Sequence, residues 1–411
     1  MSTTKTPAVP SKTIPTAKGG DGAGRVVLKK GRARPLWFGH PWAYANAVDR
    51  VENGAAAGDI VAVADSDGNF IGRAIFNPRS QIPLRLVTRK DEPVDGAFFR
   101  RRISEARAVR LKLGLPSERT TAYRLINSEG DGLPGLVVDV FGDAISVQVT
   151  TLGMAERREL IFEALAAELS PATIYEVASA SYAELEGFVA QPRVIKGESR
   201  PRVPCVEDGI QLEVEPMGGQ KTGMFLDQRP ARMRVGQLAR GARVLDCYRY
   251  IGGFALQAAR GGATEVTAVD TSAKAVTRIE AHAAKNGLNV KAVEQDTFRF
   301  LEAATPRSYD LVIIDPPKFA RARKDLEAAR KGYERLNALA LAVCAPGALL
   351  VTCSCSQNVS VEDFERVVAA GAKQAGRNVR LLEKLGAGAD HPLPLGFTEG
   401  QYLKVFLCQV D

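Results

Sequence analysis

From about residue 240 onward, short apolar runs alternate with segments in which apolar residues recur every three or four positions. The runs read ARVLD, EVTAVD, VKAVE, YDLVIID, GALLVTC, VRLLEKL and YLKVFLC, and the spacing predicts helices over 272–286 and 321–345 between them. Apolar strands joined by amphipathic helices form a parallel, doubly wound sheet with helices on both faces. The last run follows the sixth without a helix, so an antiparallel insertion is expected. Residues 25–90 follow a different pattern, with short β-type runs such as DIVAVADSDGNFIGRAIFN broken by Gly31, Asn53-Gly54, Asp67-Gly68 and Asn77-Pro78. That spacing predicts a small β barrel or sandwich. A helix over DGAFFRRRISEARAVRLKLGL places Phe98, Ile103, Ala106, Val109 and Leu113 on one face, with Arg100, Arg101, Arg102, Arg107 and Arg110 elsewhere. Residues 120–200 read as α+β, with AERRELIFEALAAEL as a helix and the glycines of SEGDGLPG as a tight turn that could be a plain hairpin connection. The chain is thus a multidomain α/β protein: a tail over 1–24, a β unit over 25–95, a middle α+β unit over 96–202 and a doubly wound unit over 203–411.

Charge sharpens this division. The net charge is +8, and residues 25–113 carry 17 Lys/Arg against 9 Asp/Glu, so the basic excess sits in the N-terminal part. Such asymmetry points to a polyanionic partner, most simply nucleic acid. No apolar stretch has the ~18 to 20 residues that span a bilayer, and the first 24 residues lack the apolar centre of an export signal. A cytoplasmic location without membrane association is expected. The six cysteines contain no CxxC pair and there are three histidines, His40, His282 and His391, so neither a metal site nor a disulfide framework is expected.

In an open α/β sheet, ligands bind beyond the carboxyl ends of the strands, and here those ends are polar or glycine. The first gives LDCYRYIGGF, with Asp246 at the strand end and Gly252-Gly253 opening the next helix. The second ends on Asp270, suited to accept from ribose hydroxyls. The third leads to Asp296, which could accept from an adenine amine; the fourth ends in DPPKF and the fifth in TCSCS. Positions 246–253 lack the early glycine of a G-x-G-x-x-G turn, which argues against a pyrophosphate-bearing dinucleotide. S-adenosylmethionine fits instead. In DPPKF the prolines stiffen the chain and Asp315 can hydrogen-bond a base amine or ring nitrogen.

KTGMFLDQRPAR (221–232), LDCYRYIGGFALQAARGGATEVTAVDTS, DPPKFAR and LVTCSCS, with RLINSEGDGLPGLVVD and the early LKKGRARPLWFGHPWAYANAV, together resemble the bacterial 23S ribosomal RNA 5-methylcytosine methyltransferase family. The resemblance runs in order from about residue 26 to the C terminus. It implies an N-terminal PUA domain, a middle domain of the EEHEE type and a class I methyltransferase domain that converts S-adenosylmethionine to S-adenosylhomocysteine. It also implies ribosomal RNA as partner, and it leaves room for a homodimer. Lys221, Phe225, Asp227 and Arg229 would lie near the pocket, and Asp246, Gly252, Gly253, Asp270, Asp296 and Asp315 would hold the cofactor. Two positions depart from the family pattern: Ile251 replaces a Thr, and Arg249 replaces a small residue or Cys.

Cytosine carbon 5 is a weak nucleophile, so its methylation calls for a thiolate that adds to carbon 6. Cys353 and Cys355 are the candidates, and comparison with the general TCS element favours Cys353. Asp315 would steady the ring, and Lys318 would assist proton transfer or contact phosphate. Lys29, Lys30, Arg32 and Arg34, near Trp37, Trp42 and Tyr44, would bind RNA by phosphate contact and stacking. Two rival readings remain open: an RNA N-methyltransferase, which would not need either thiol, and a non-catalytic ribosomal RNA assembly factor, motivated by Arg249 and Ile251.

Overall fold

The computed structural model describes residues 24–178, 180–219, 222–248, 250–319 and 325–411. The N-terminal tail, Lys221 and Arg249 lie outside the described residues. Strands β1 (Arg25–Leu28), β2 (Trp42–Ala43), β3 (Val48–Glu52), β4 (Ile60–Ala64), β5 (Phe70–Phe76) and β6 (Leu84–Thr88) form one six-stranded sheet, ordered β2-β6-β5-β4-β1-β3. The pairs Val26/Leu28, Val61/Val63 and Leu84/Leu86 lie two residues apart, so each pair faces one side and is buried together.

The helix Gly96–Lys112 starts at Asp95, whose carboxylate accepts from the Phe98 N–H at 2.9 Å. Its buried face differs from the expected one. Phe99, Ile103, Ala106 and Arg110 are spaced four, three and four apart and are buried, whereas Val109 and Leu113 are 44% and 43% exposed. Arg110 is fully buried because its charge is neutralised: Nη1 and Nη2 donate to Asp131 at 2.5 and 2.8 Å, Nε to the Arg124 carbonyl at 2.9 Å and Nη2 to the Asp390 carbonyl at 2.8 Å.

The middle sheet contains β7 (Ala122–Asn127), β8 (Leu136–Phe141), β9 (Ala144–Val149), β10 (Thr173–Val177) and β11 (Arg193–Lys196), ordered β11-β10-β9-β8-β7. The helix expected over 155–169 is two helices, Leu152–Glu156 and Arg158–Leu169. They part at buried Arg157, whose Nη1 donates to the carbonyls of Gly153 (2.7 Å) and of Gly58 in the N-terminal unit (2.8 Å). The hairpin of β12 (Val203–Glu207) and β13 (Ile210–Val214) inserts Val203, Leu212 and Val214 among Phe141 and Tyr175 on one side and Ile251 and Leu256 on the other.

The C-terminal sheet contains β14 (Arg243–Cys247), β15 (Glu265–Asp270), β16 (Lys291–Glu294), β17 (Tyr309–Ile314), β18 (Cys344–Ser354), β19 (Val379–Leu385) and β20 (Lys404–Val410). The order is β16-β15-β14-β17-β18-β20-β19; β14 to β18 run parallel, and β20 inserts antiparallel to both β18 and β19, as the missing crossover predicts.

The segment 386–403, between β19 and β20, reaches back to the other two units. Asp390 is fully buried and accepts from the Arg124 N–H (3.0 Å), pairs with Arg229 (3.0 Å) and holds His391 Nδ1 (3.1 Å). Glu399 accepts from Tyr44 O–H at 2.9 Å and lies 3.2 Å from His40 Nε2. The SEGDGLPG turn is therefore a docking point and not a plain hairpin connection. At Gly130 a Cβ would stand 1.8 Å from the Pro392 carbonyl oxygen, so no side chain fits.

Two outcomes are expected. Arg110→Met strands Asp131, whose side chain is 6% exposed, and should lower stability by about 3–5 kcal/mol in urea denaturation; a loss within experimental error would show that the pair carries no structural weight. Burial raises the Asp390 pKa, but the hydrogen bond from His391 and the charges of His391 and Arg229 outweigh it, leaving the carboxyl below its usual range. A depressed carboxyl stabilises the fold fully above its unfolded pKa of about 4, and that contribution is lost as pH falls toward the folded value. Asp390→Asn should therefore be less stable than wild type at neutral pH, with the gap narrowing below about pH 4; a gap independent of pH would remove this role.

Candidate active site

The cleft lies beyond the carboxyl ends of β14, β15, β17 and β18, where β14 has β15 on one side and β17 on the other, and encloses about 470 Å³. Its floor is set by the turn after β14. Gly252 adopts φ +84°, where an L side chain is disfavoured, and begins the helix Gly253–Arg260. Tyr248 and Tyr250 also take positive φ, at 69° and 50°, a conformation that costs a non-glycine residue roughly 1–2 kcal/mol.

Packing holds this strained turn. Tyr250 O–H donates to the Gly223 carbonyl at 3.2 Å, its ring meets Phe225 edge-on at 5.8 Å, and the Arg278 guanidinium lies over it at 5.4 Å. The Ile251 carbonyl accepts from His282 Nδ1 at 3.1 Å. His282 Nε2 accepts the Glu213 N–H at 3.0 Å, so the proton resides on Nδ1, and burial keeps the ring pKa below its ordinary value.

Of the residues expected at the site, Phe225, Asp227, Gly253, Asp270, Asp315 and Cys355 line the cleft. Asp270 accepts from the Tyr250 N–H at 3.3 Å and the Ser272 N–H at 2.9 Å. Asp315 accepts from Gln228 Nε2 at 3.0 Å, and Asp227 accepts from Tyr402 O–H.

Others stand away from it. Arg229 turns to Asp390 and to the Ala122 carbonyl (3.2 Å), serving the junction between units instead of the pocket. Asp246 is fully buried at the end of β14 and does not line the cleft. Asp296 is exposed, and its carboxylate caps the helix Thr297–Ala303 by accepting from Arg299 N–H at 3.0 Å. Gly252 shapes the floor without lining it, and Lys318 is exposed beyond Pro317.

The two thiols separate clearly. Cys353 is fully buried within β18, opposite Val405 and packed with Val351 and Leu407. Cys355 follows the end of β18, is half-buried, and lines the cleft with Asp315, Pro316 and Pro317. This geometry favours Cys355 where the TCS comparison favours Cys353. Gln228, Tyr248, Tyr250, Arg278 and Leu403 also line the cleft and were not singled out from sequence. Gln228 lies within KTGMFLDQRPAR and Tyr248 and Tyr250 within LDCYRYIGGF, while Leu403 lies in the apolar run YLKVFLC with nothing in its residue type to mark it.

The cleft suits S-adenosylmethionine. Phe225, Tyr250, Ile251 and Phe254 offer aromatic and apolar surface to a purine, and Asp270 offers a carboxylate to ribose hydroxyls. The small residue at Gly253 is required, since a Cβ there would come 2.5 Å from Arg232 Cδ, and Arg232 is fixed by two 2.6 Å bonds to Glu207.

Residues 26–89 match the PUA-like domain family, and residues 190–392 match the S-adenosylmethionine-dependent methyltransferase family. The chain is 37% identical to ribosomal RNA large subunit methyltransferase I of Photobacterium profundum, over 94% of this chain and 99% of that one. It is 36% identical to a protein of the same name in Klebsiella pneumoniae, over 94% and 98%. Its fold matches that of SMU.776, solved complexed with SAH, with a TM-score of 0.81 and 24% identity over 94% of this chain and 99% of that one. The chain is an S-adenosylmethionine-dependent methyltransferase and belongs to the ribosomal RNA large subunit methyltransferase I family.

Proposed function

We propose that the protein methylates carbon 5 of a cytosine in large-subunit ribosomal RNA, with Cys355 as the nucleophile. The observation that carries this reading is the position of Cys355 on the cleft wall beside Asp315 and the Pro316-Pro317 pair. The names of its relatives supply the RNA class, and the basic surplus of residues 25–113 suits a polyanion. We read residues 25–95, 96–202 and 203–411 as an RNA-binding unit, a connecting unit and the catalytic unit.

The bound cofactor supplies an electrophilic methyl group. The Cys355 thiolate adds to carbon 6, forming a C–S bond and pushing the ring electron pair toward carbon 5, which becomes enamine-like. Asp315, oriented by Gln228 at 3.0 Å, accepts from the base amine and fixes the ring plane. Once carbon 5 is methylated, its proton leaves to water and the C–S bond breaks, which restores the aromatic ring and releases the thiolate. Lys318, exposed beyond Pro317, contacts phosphate or relays that proton in this reading. Methylation of an exocyclic amine would need no such adduct and would leave Cys355 idle.

Nucleoside mass spectrometry of ribosomal RNA treated with the purified protein should show 5-methylcytidine. Cys355→Ala should reduce transfer by on the order of a thousandfold or more, while Cys353→Ala should retain a rate comparable to wild type. An N-methylated nucleoside, or wild-type turnover by the Cys355 variant, would sink this reading. For the cofactor, Asp270→Ala should weaken S-adenosylmethionine binding by roughly tenfold to a hundredfold, the loss expected for hydrogen bonds to a charged acceptor; an unchanged calorimetric affinity would remove Asp270 from the site.

A further inference from the structure

Lys404 begins β20 opposite Ser354 of β18 and is only 4% exposed. Its Nζ donates to three backbone carbonyls: Ser356 at 2.7 Å, Val359 at 2.8 Å and Tyr402 at 2.8 Å. Three acceptors require three hydrogens, and a neutral amine has two, so this geometry describes an ammonium. Two of the carbonyls belong to the turn that leaves Cys355. Among the described residues no carboxylate forms an ion pair with Lys404; the charged or ionisable groups that act on it are Cys355 and Lys318.

A buried cation without an anionic partner is costly, which raises the question of what balances it. The neighbouring phenols do not. Burial pushes Tyr333 up to about 12 and Tyr402 well above its ordinary value, so both stay neutral. Among the described residues, the group acting on Lys404 that can become an anion is the Cys355 thiol.

We propose that Lys404 is a positioning residue for the Cys355 nucleophile: its three hydrogen bonds fix the turn carrying the thiol, and its ammonium is the thiolate's counter-cation. This rests on the reading of Cys355 as nucleophile. Burial draws Lys404 down to about 8 while the thiolate's charge acts the other way, so the ammonium is kept at neutral pH. Among the described residues, the groups around the thiol include Lys404, Lys318, Asp315, Tyr333 and Tyr402, with Asp227 behind Tyr402. Both lysines favour the thiolate, Asp315 and Asp227 oppose it, and the phenols are neutral. Lys318 is solvent-exposed and screened, which leaves Lys404 as the main favourable charge among these described residues.

The test is the pH dependence of Cys355 alkylation by iodoacetamide in the full-length protein, followed on the Cys355 peptide by mass spectrometry. In the wild type the midpoint should lie below the ordinary thiol value of about 8.5; a midpoint at or above it overturns the proposal without any variant. Lys404→Met should raise the midpoint and slow alkylation at neutral pH by about tenfold or more, and Lys404→Arg should recover part of the shift. A folded Lys404→Met protein with the wild-type profile would overturn it as well. Methyl transfer is not the readout. A product other than 5-methylcytidine would remove the nucleophile reading while leaving the alkylation profile interpretable, and an unshifted profile with 5-methylcytidine formed would remove Lys404 alone.

Discussion

The architecture depends on one buried carboxylate. Asp390 has no solvent exposure, and within one residue's reach it engages β7 through the Arg124 N–H, the helix Gly96–Lys112 through Arg110 to its carbonyl, and the helix Arg229–Leu238 through Arg229. Two arginine side chains and a backbone N–H from different parts of the chain satisfy the charge and the carbonyl that burial would otherwise leave without compensation. The desolvation of these groups is offset only when all the partners are present together. This makes the junction a specific lock more than a source of bulk stability.

The lock has consequences at the cleft. Asp390 anchors the segment 386–403, and the same segment ends in Tyr402, which donates to Asp227, and Leu403, which lines the cleft; Lys404 follows at once. Glu399, in the same stretch, holds His40 and Tyr44 of the N-terminal unit. The PUA-like N-terminal unit and the wall of the cleft are thus fastened to one stretch of chain. A rigid scaffold of this kind also accounts for the strained Tyr248 and Tyr250, since left-handed tyrosines persist only where surrounding contacts over-determine them. Phe225, Gly223 and Arg278 supply those contacts for Tyr250, and the Tyr248 N–H donates to the Val269 carbonyl at 3.0 Å.

Much of this was legible in the sequence, and what was not has a common cause. The alternation of apolar runs and helical periods gave the doubly wound sheet, and the missing crossover gave the antiparallel β20. Local period failed where a charge is neutralised from far away in the chain: Arg110 looks like a surface residue until Asp131 and the Asp390 carbonyl are brought to it across the fold. Arg229 and Asp296 misled for the related reason that a motif fixes a residue's position but not its partner. One is drawn off by Asp390 and the other by the N-terminus of its own helix. Lys404 carried no signal at all, because three carbonyl acceptors leave no trace in side-chain types.

The two cysteines show how a strand end converts a period into a division of roles. Residues two apart in a strand face the same side, so Cys353 and Cys355 read as equivalent. They are not, because β18 ends at Ser354. Cys353 still pairs across from Val405 and is sealed among Val351 and Leu407, where a thiol behaves as a small apolar side chain. One residue past Ser354 the chain has left the sheet, and Cys355 stands on the cleft wall with Asp315. The difference between a packing thiol and a thiol that lines the cleft is thus a matter of about one residue of strand length, and the turn that follows is held by Lys404.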